Sequence, residues 1–174
     1  MEKPSAARIA LKWGLIAGVI NIVYGVVLIA IGKYQDPSMN TISTVFGIGV
    51  AIAVLIYAMR EYRALNGGYM SFGQGLGVGT LTSAVSGVVA GLFNLIYMQF
   101  IDPTVPDQIM DRIRDEWERN GMSDSQMEQM EPMTAFMMKP GMMFVLGVFF
   151  SLLFGVILSL IIAAILRREK QVFE

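Results

Sequence analysis

Four stretches of this chain carry almost nothing but apolar and small residues, and the charges are swept into the segments between them. Residues 13–32, 41–59, 71–101 and 141–166 contain no Asp, Glu, Lys or Arg. A helix of about 20 such residues crosses the roughly 30 Å of hydrocarbon in a bilayer. The pattern therefore predicts four transmembrane helices, at about 13–32, 41–62, 72–101 and 141–166. The third run is the longest, about 45 Å of helix at 1.5 Å per residue, so it has to tilt or project into the headgroups. The expected fold class is an all-α membrane protein, a single four-helix bundle domain over 1–174, with short extracytoplasmic helices between spans three and four.

Polar and turn-forming residues mark the ends of these runs. Ala30 and Gly32 behind a basic start have the small-x-small form of a signal-peptide cleavage site, but the apolar run is too long for a typical h-region, so the segment reads as a span. The link at 33–40 turns at Asp36-Pro37 and is short enough to make spans one and two antiparallel neighbours. Asn66-Gly67-Gly68 stops the second helix, glycine tolerating the left-handed conformation at a helix end. Ser71-Phe72-Gly73-Gln74 has the spacing of a capping box and opens the third, which Asp102-Pro103 closes.

The segment 102–141 differs in character, with nine acidic side chains against Arg112, Arg114, Arg119 and Lys139. Thr104-Val105-Pro106 reads as a helix start with the hydroxyl as cap and proline just inside. Ile109, Ile113 and Trp117 form an apolar stripe expected on the outer membrane interface or the span ends, and Asn120-Gly121 ends that helix. Ser123 to Gln126 offers a second capping box, while Pro132 and Pro140 are expected to interrupt the stretch beyond it, giving two or three short helices. Arg112 with Glu116 and Asp115 with Arg119 stand at i and i+4 on a solvated, ion-paired face.

Within the spans the small and polar residues are ordered. Gly75, Gly79, Ser83, Gly87 and Gly91 recur at every fourth position of span three, and Gly147, Ser151, Gly155, Ser159 and Ala163 do so in span four. Each set forms one bare ridge of a helix. Lipid tails are as apolar as leucine, so spans associate by close packing and hydrogen bonds, and such ridges let two backbones approach. Packing within the chain is the expected use, with packing between protomers the alternative. Ala17 to Tyr24 in span one also lines up with Ala90 to Tyr97 in span three, as a parallel repeat. Asn21 and Asn94, the only asparagines in the spans, are expected to tie helices together. Asn21, Tyr24, Asn94 and Tyr97 could instead line a cavity, as polar groups at matching places do in repeat-built transporters.

Composition removes whole classes of chemistry. No cysteine and no histidine is present, so disulfides, thiolate nucleophiles, haem, ordinary zinc sites and Ser/His hydrolysis are excluded. Spans without charge also argue against a proton pump or an intramembrane aspartyl protease. Met127, Met130, Met133, Met137 and Met138 resemble soft copper(I) ligand stretches, but methionine equally suits a helix face on lipid or a partner, so no metal, cofactor or catalytic residue is assigned. No basic patch is free for nucleic acid. The N-terminus, the 60–75 link and the C-terminus hold eight of the 13 Lys and Arg residues. By the positive-inside rule both termini are expected in the cytoplasm of a bacterial inner membrane.

Three segments together carry a family likeness: Gly67-Gly68-Tyr69-Met70-Ser71-Phe72-Gly73-Gln74, Tyr97 to Ile101-Asp102-Pro103, and Gly155-x-x-x-Ser159-Leu160-Ile161-Ile162-Ala163-Ala164-Ile165 before a basic tail. They resemble the uncharacterised four-span inner-membrane proteins grouped as domain of unknown function 4199, typical of Bacteroidota. The resemblance implies four spans and an acidic outward segment, and no activity. Two roles are expected on these grounds. The first is a non-enzymatic interaction or assembly protein, partnering itself or an envelope protein through 102–140 and otherwise the lipid bilayer. The second is a small solute channel or transporter built on the repeat of spans one and three.

Overall fold

A computed structural model describes residues 5–34 and 36–169; Lys3 and Lys170, two of the cations that bear on orientation, lie outside the described residues. Six helices are named in chain order: α1 (Ala6–Ala30), α2 (Asn40–Leu65), α3 (Phe72–Ile96), α4 (Val105–Arg119), α5 (Asp124–Met137) and α6 (Pro140–Leu166). A 3₁₀ turn, Pro37–Met39, leads into α2, and a π-helical turn, Tyr97–Ile101, ends α3. Ala6–Ala30, Pro37–Leu65, Phe72–Ile101 and Pro140–Leu166 are long and apolar enough to cross a membrane. The chain folds into two compact units, one reaching to Ala90 and resuming at Val148, the other Gly91–Gly147.

In the first unit, side chains set the helix ends. Ser5 Oγ accepts the Arg8 amide at 3.3 Å to start α1, and Ser71 and Gln74 exchange the two bonds of a capping box to start α3. At the end of α2, Gly67 takes φ +70° and the Gly68 amide bonds Arg63 O at 2.8 Å, a closure that needs a residue without Cβ. Between α1 and α2, Lys33 and the Ser38 hydroxyl and amide bond the Asp36 carboxylate and hold its pKa well below the usual range. The two helices lie antiparallel. Tyr24 bonds Ser43 at 3.0 Å and stacks on Phe46, while at the other end Trp13 stacks on Tyr57 and donates to Glu61 at 2.7 Å.

The interior of this unit lies toward the end where α2 turns into α3. Ile9 from α1, Leu55, Ala58, Met59 and Tyr62 from α2, Met70, Val78 from α3, and Ile162 and Ala163 from α6 form one buried cluster. Two backbone bonds of 2.8 Å pair Met70 with Arg168, just beyond α6, and Arg63 donates to Leu166 O at 3.1 Å, satisfying one carbonyl left open by the end of that helix.

The second unit corrects several local expectations. Pro132 does not interrupt its helix: α5 runs through it to Met137, giving up only the bond its missing N–H would have made. Pro140 does break the stretch, opening α6 after α5 ends at Met137, and the two helices between the third and fourth spans fall within the expected two or three. Thr104 caps nothing with its hydroxyl, which donates to Asp102 at 2.5 Å and accepts from Gln108 at 2.7 Å. The anticipated i,i+4 pairs are absent among the described residues. Arg119 donates to the backbone carbonyl of Asp115, and Arg114 bridges Asp111 and Glu131, whose hydrogen bond holds the guanidinium pKa above its ordinary value. Ile109, Ile113 and Trp117 are half-buried, whereas Val105 and Met110 are the buried residues of α4.

Candidate functional site

The two small-residue ridges meet each other. A Cβ added at Gly75 would lie 2.9 Å from Ala163 Cβ, and one at Gly79 would run into Ser159 Oγ and lie 2.7 Å from Met59 Cε. At Gly155 it would overlap the Ser83 side chain, and at Gly87 it would stand 2.7 Å from Ser151 Oγ. Each four-residue step forward on α3 is thus matched by one backward on α6, an antiparallel seam in which glycine on one helix receives a small side chain from the other. Ser151 fastens it by donating to Ser83 O at 3.3 Å. Ser159 Oγ is buried without a hydrogen-bond partner among the described residues. At Gly147 an added Cβ would meet nothing within 4 Å, and Gly91 is half-buried.

A second close approach joins α1 to α3. Added Cβ atoms at Gly14 and Gly18 would come 2.5 Å from Val85 Cβ and Val89 Cγ1 respectively, so the two helices run in the same direction. The signal was a single Gly14-x-x-x-Gly18 pair, too short to stand out beside two five-fold ridges.

Beside the seam the helices leave a cavity of about 300 Å³. Its polar lining comes from every span: Asn21 of α1, Ser43 and Thr44 of α2, Thr82, Ser83 and Ser86 of α3, and Ser151 of α6. It exists because α2 presents Gly47 and Ala51 to it, side chains too small to fill the space facing α3 and α6. Thr44 and Phe154 are exposed and form the rim; Val54, Leu55, Thr82 and Gly155 are buried and form the floor. Leu55 also belongs to the buried cluster, with Met59, Val78 and Ile162, so the cavity is blind at that end.

The lining is uncharged and incompletely satisfied. Thr82 donates to Val78 O at 2.8 Å and Asn21 to Ala17 O at 2.9 Å, each back to its own helix. That corrects the expectation that Asn21 ties two helices together: its amide reaches the carbonyl four residues before it, which satisfies a donor without a neighbour. Its Oδ1 and the hydroxyls of Ser83 and Ser86 make no hydrogen bond among the described residues. The lining does not include Tyr24, which is taken up by Ser43 and Phe46, or Asn94 and Tyr97. Tyr97 is buried near Phe93, whose ring centre is 6.3 Å away. No group of three or more His, Cys, Asp or Glu side chains suited to a metal occurs among the described residues.

Four apolar helices around a seam of glycine and serine define an all-α multi-pass membrane protein. Residues 12–168 match the family described as a protein of unknown function, DUF4199, and the chain belongs to that family. No curated protein and no solved structure matches it.

Proposed function

We propose that this chain is a non-enzymatic inner-membrane protein that binds a small, neutral, hydrogen-bonding solute in the cavity beside the α3–α6 seam. The observation that supports this is the lining itself, hydroxyls and one amide contributed by all four spans in a setting where unsatisfied polar groups are costly. About 300 Å³ is the lower end of ligand-pocket size and holds about ten waters at roughly 30 Å³ each. A charged ligand would find no counter-ion there, and the hydroxyls have no base beside them to make them nucleophiles. The blind floor favours a binding or carrier role over an open pore.

The chain has no cysteine, so one introduced thiol is unique. In proteoliposomes, Ser86→Cys should react with neutral methyl methanethiosulfonate faster than with its sulfonate analogue, and polyols or small amides that fit should slow the reaction. A thiol at Ser86 as inert as one on the lipid-facing side of α6, Ile161→Cys, would refute the reading.

The distribution of cations supports a topology with both termini in the cytoplasm and 102–140 outside. A membrane-impermeant maleimide added to intact cells should label Ser125→Cys, and Ser5→Cys only after lysis. The opposite labelling would reverse the orientation.

A further inference from the structure

We infer that the C-terminal half of α5 is an interfacial anchor, a helix face seated at the boundary between lipid headgroups and acyl chains. On α5 the residues Met130, Met133, Phe136 and Met137 fall on one side by helical spacing, and Met133 and Phe136 are 57% and 50% exposed. The acidic side is otherwise engaged: Glu131 pairs with Arg114 of α4. Arg114 therefore holds α5 by its charged flank and leaves the thioether and phenyl side chains exposed on the other.

Chain connectivity says what covers them. α5 ends at Met137 and α6, a membrane-crossing helix, begins at Pro140, so the last turn of α5 lies within a few residues of the bilayer. The end of the third span exposes Phe100 and Ile101 by 78% and 63%, a second apolar edge entering the same boundary. Lys139 sits between the two helices with its ammonium 5.4 Å from the Phe136 ring, where it can reach lipid phosphate while the ring enters the acyl region. Asp124 and Glu128 confine insertion to the second half of the helix, because anionic headgroups repel the first. Flexible methionines suit a surface as disordered as lipid.

The full-length chain, spin-labelled at one introduced cysteine and reconstituted in phosphatidylethanolamine–phosphatidylglycerol vesicles, tests this by collision with oxygen and with a water-soluble nickel chelate. Labels at Met133→Cys and Phe136→Cys should collide more with oxygen, and the ratio should invert at Glu128→Cys on the opposite flank. Preferential nickel access at both positions, meaning water, would overturn the proposal. So would protection from both reagents, meaning that protein, another copy or a partner, covers the face.

Discussion

Replacing Gly79 by leucine is expected to prevent the bundle from assembling, whereas the same replacement at Gly77 is expected to leave it intact. The residues are two apart on the same helix, but Gly79 is buried, where an added Cβ strikes Ser159 and Met59, while Gly77 is exposed and an added Cβ there meets nothing within 4 Å. Overpacking costs about 1–3 kcal/mol where neighbours can move. Here the obstacle is the Cβ and hydroxyl of a residue on α6, so relief requires the helices to part along the seam. The yield of monodisperse protein in mild detergent and its thermal midpoint should collapse for Gly79→Leu and hold for Gly77→Leu. Gly79→Ala alone should lower the midpoint, and adding Ser159→Gly should restore part of it, a coupling of about 0.5–3 kcal/mol between residues in contact. Equal behaviour at the two glycines, or strict additivity with Ser159, would show that the seam is not where the helices meet.

The faces of these helices were open to reading along the chain, but their partners were not. Small residues at every fourth position announce a ridge on α3 and another on α6, since helical periodicity is a local property. That Gly79 opposes Ser159 and Gly155 opposes Ser83 depends on which helices are neighbours and on their register. Helix ends closed by local chemistry, at Ser71 and Gly67-Gly68, were equally open. Thr104 was not, because Asp102 competes for its hydroxyl, nor was Pro132, where an exposed helix tolerates one missing bond.

The cavity illustrates the same limit more sharply. Its polar groups are scattered over four helices, at Asn21, Ser43, Thr82, Ser86 and Ser151, with no spacing that relates one helix to another. The repeat drew notice to Asn21 with Tyr24, Asn94 and Tyr97, because matching strings are visible along a chain. What collects side chains around a space is the difference in bulk between facing helices. Gly47 and Ala51 on α2 leave room opposite Ser83 and Ser86. A search for hydroxyls facing small residues across uncharged spans would have found candidates, though not their grouping.

Packing and solute binding should therefore fail together when α1 is displaced, and Gly18→Leu is the substitution expected to displace it. A Cβ there comes 2.5 Å from Val89 Cγ1 and 2.7 Å from Val89 Cβ, and a β-branched side chain in a helix has one strongly preferred rotamer, so it cannot swing aside. α1 has to move away from α3. Ala17 and Asn21 on α1 line the cavity, so the wall they form moves with it. Gly18→Leu should lower the thermal midpoint, with a cost of about 1–3 kcal/mol. In a Ser86→Cys background it should also abolish protection of the thiol by solutes that protect the parent. Val19→Leu, one residue along and 52% exposed, should change neither readout. Val89→Gly combined with Gly18→Leu should recover stability and protection in step, because it removes the side chain that forces the helices apart. Recovery of stability without protection would separate the cavity from the α1–α3 contact and leave its shape to α2 and the seam alone.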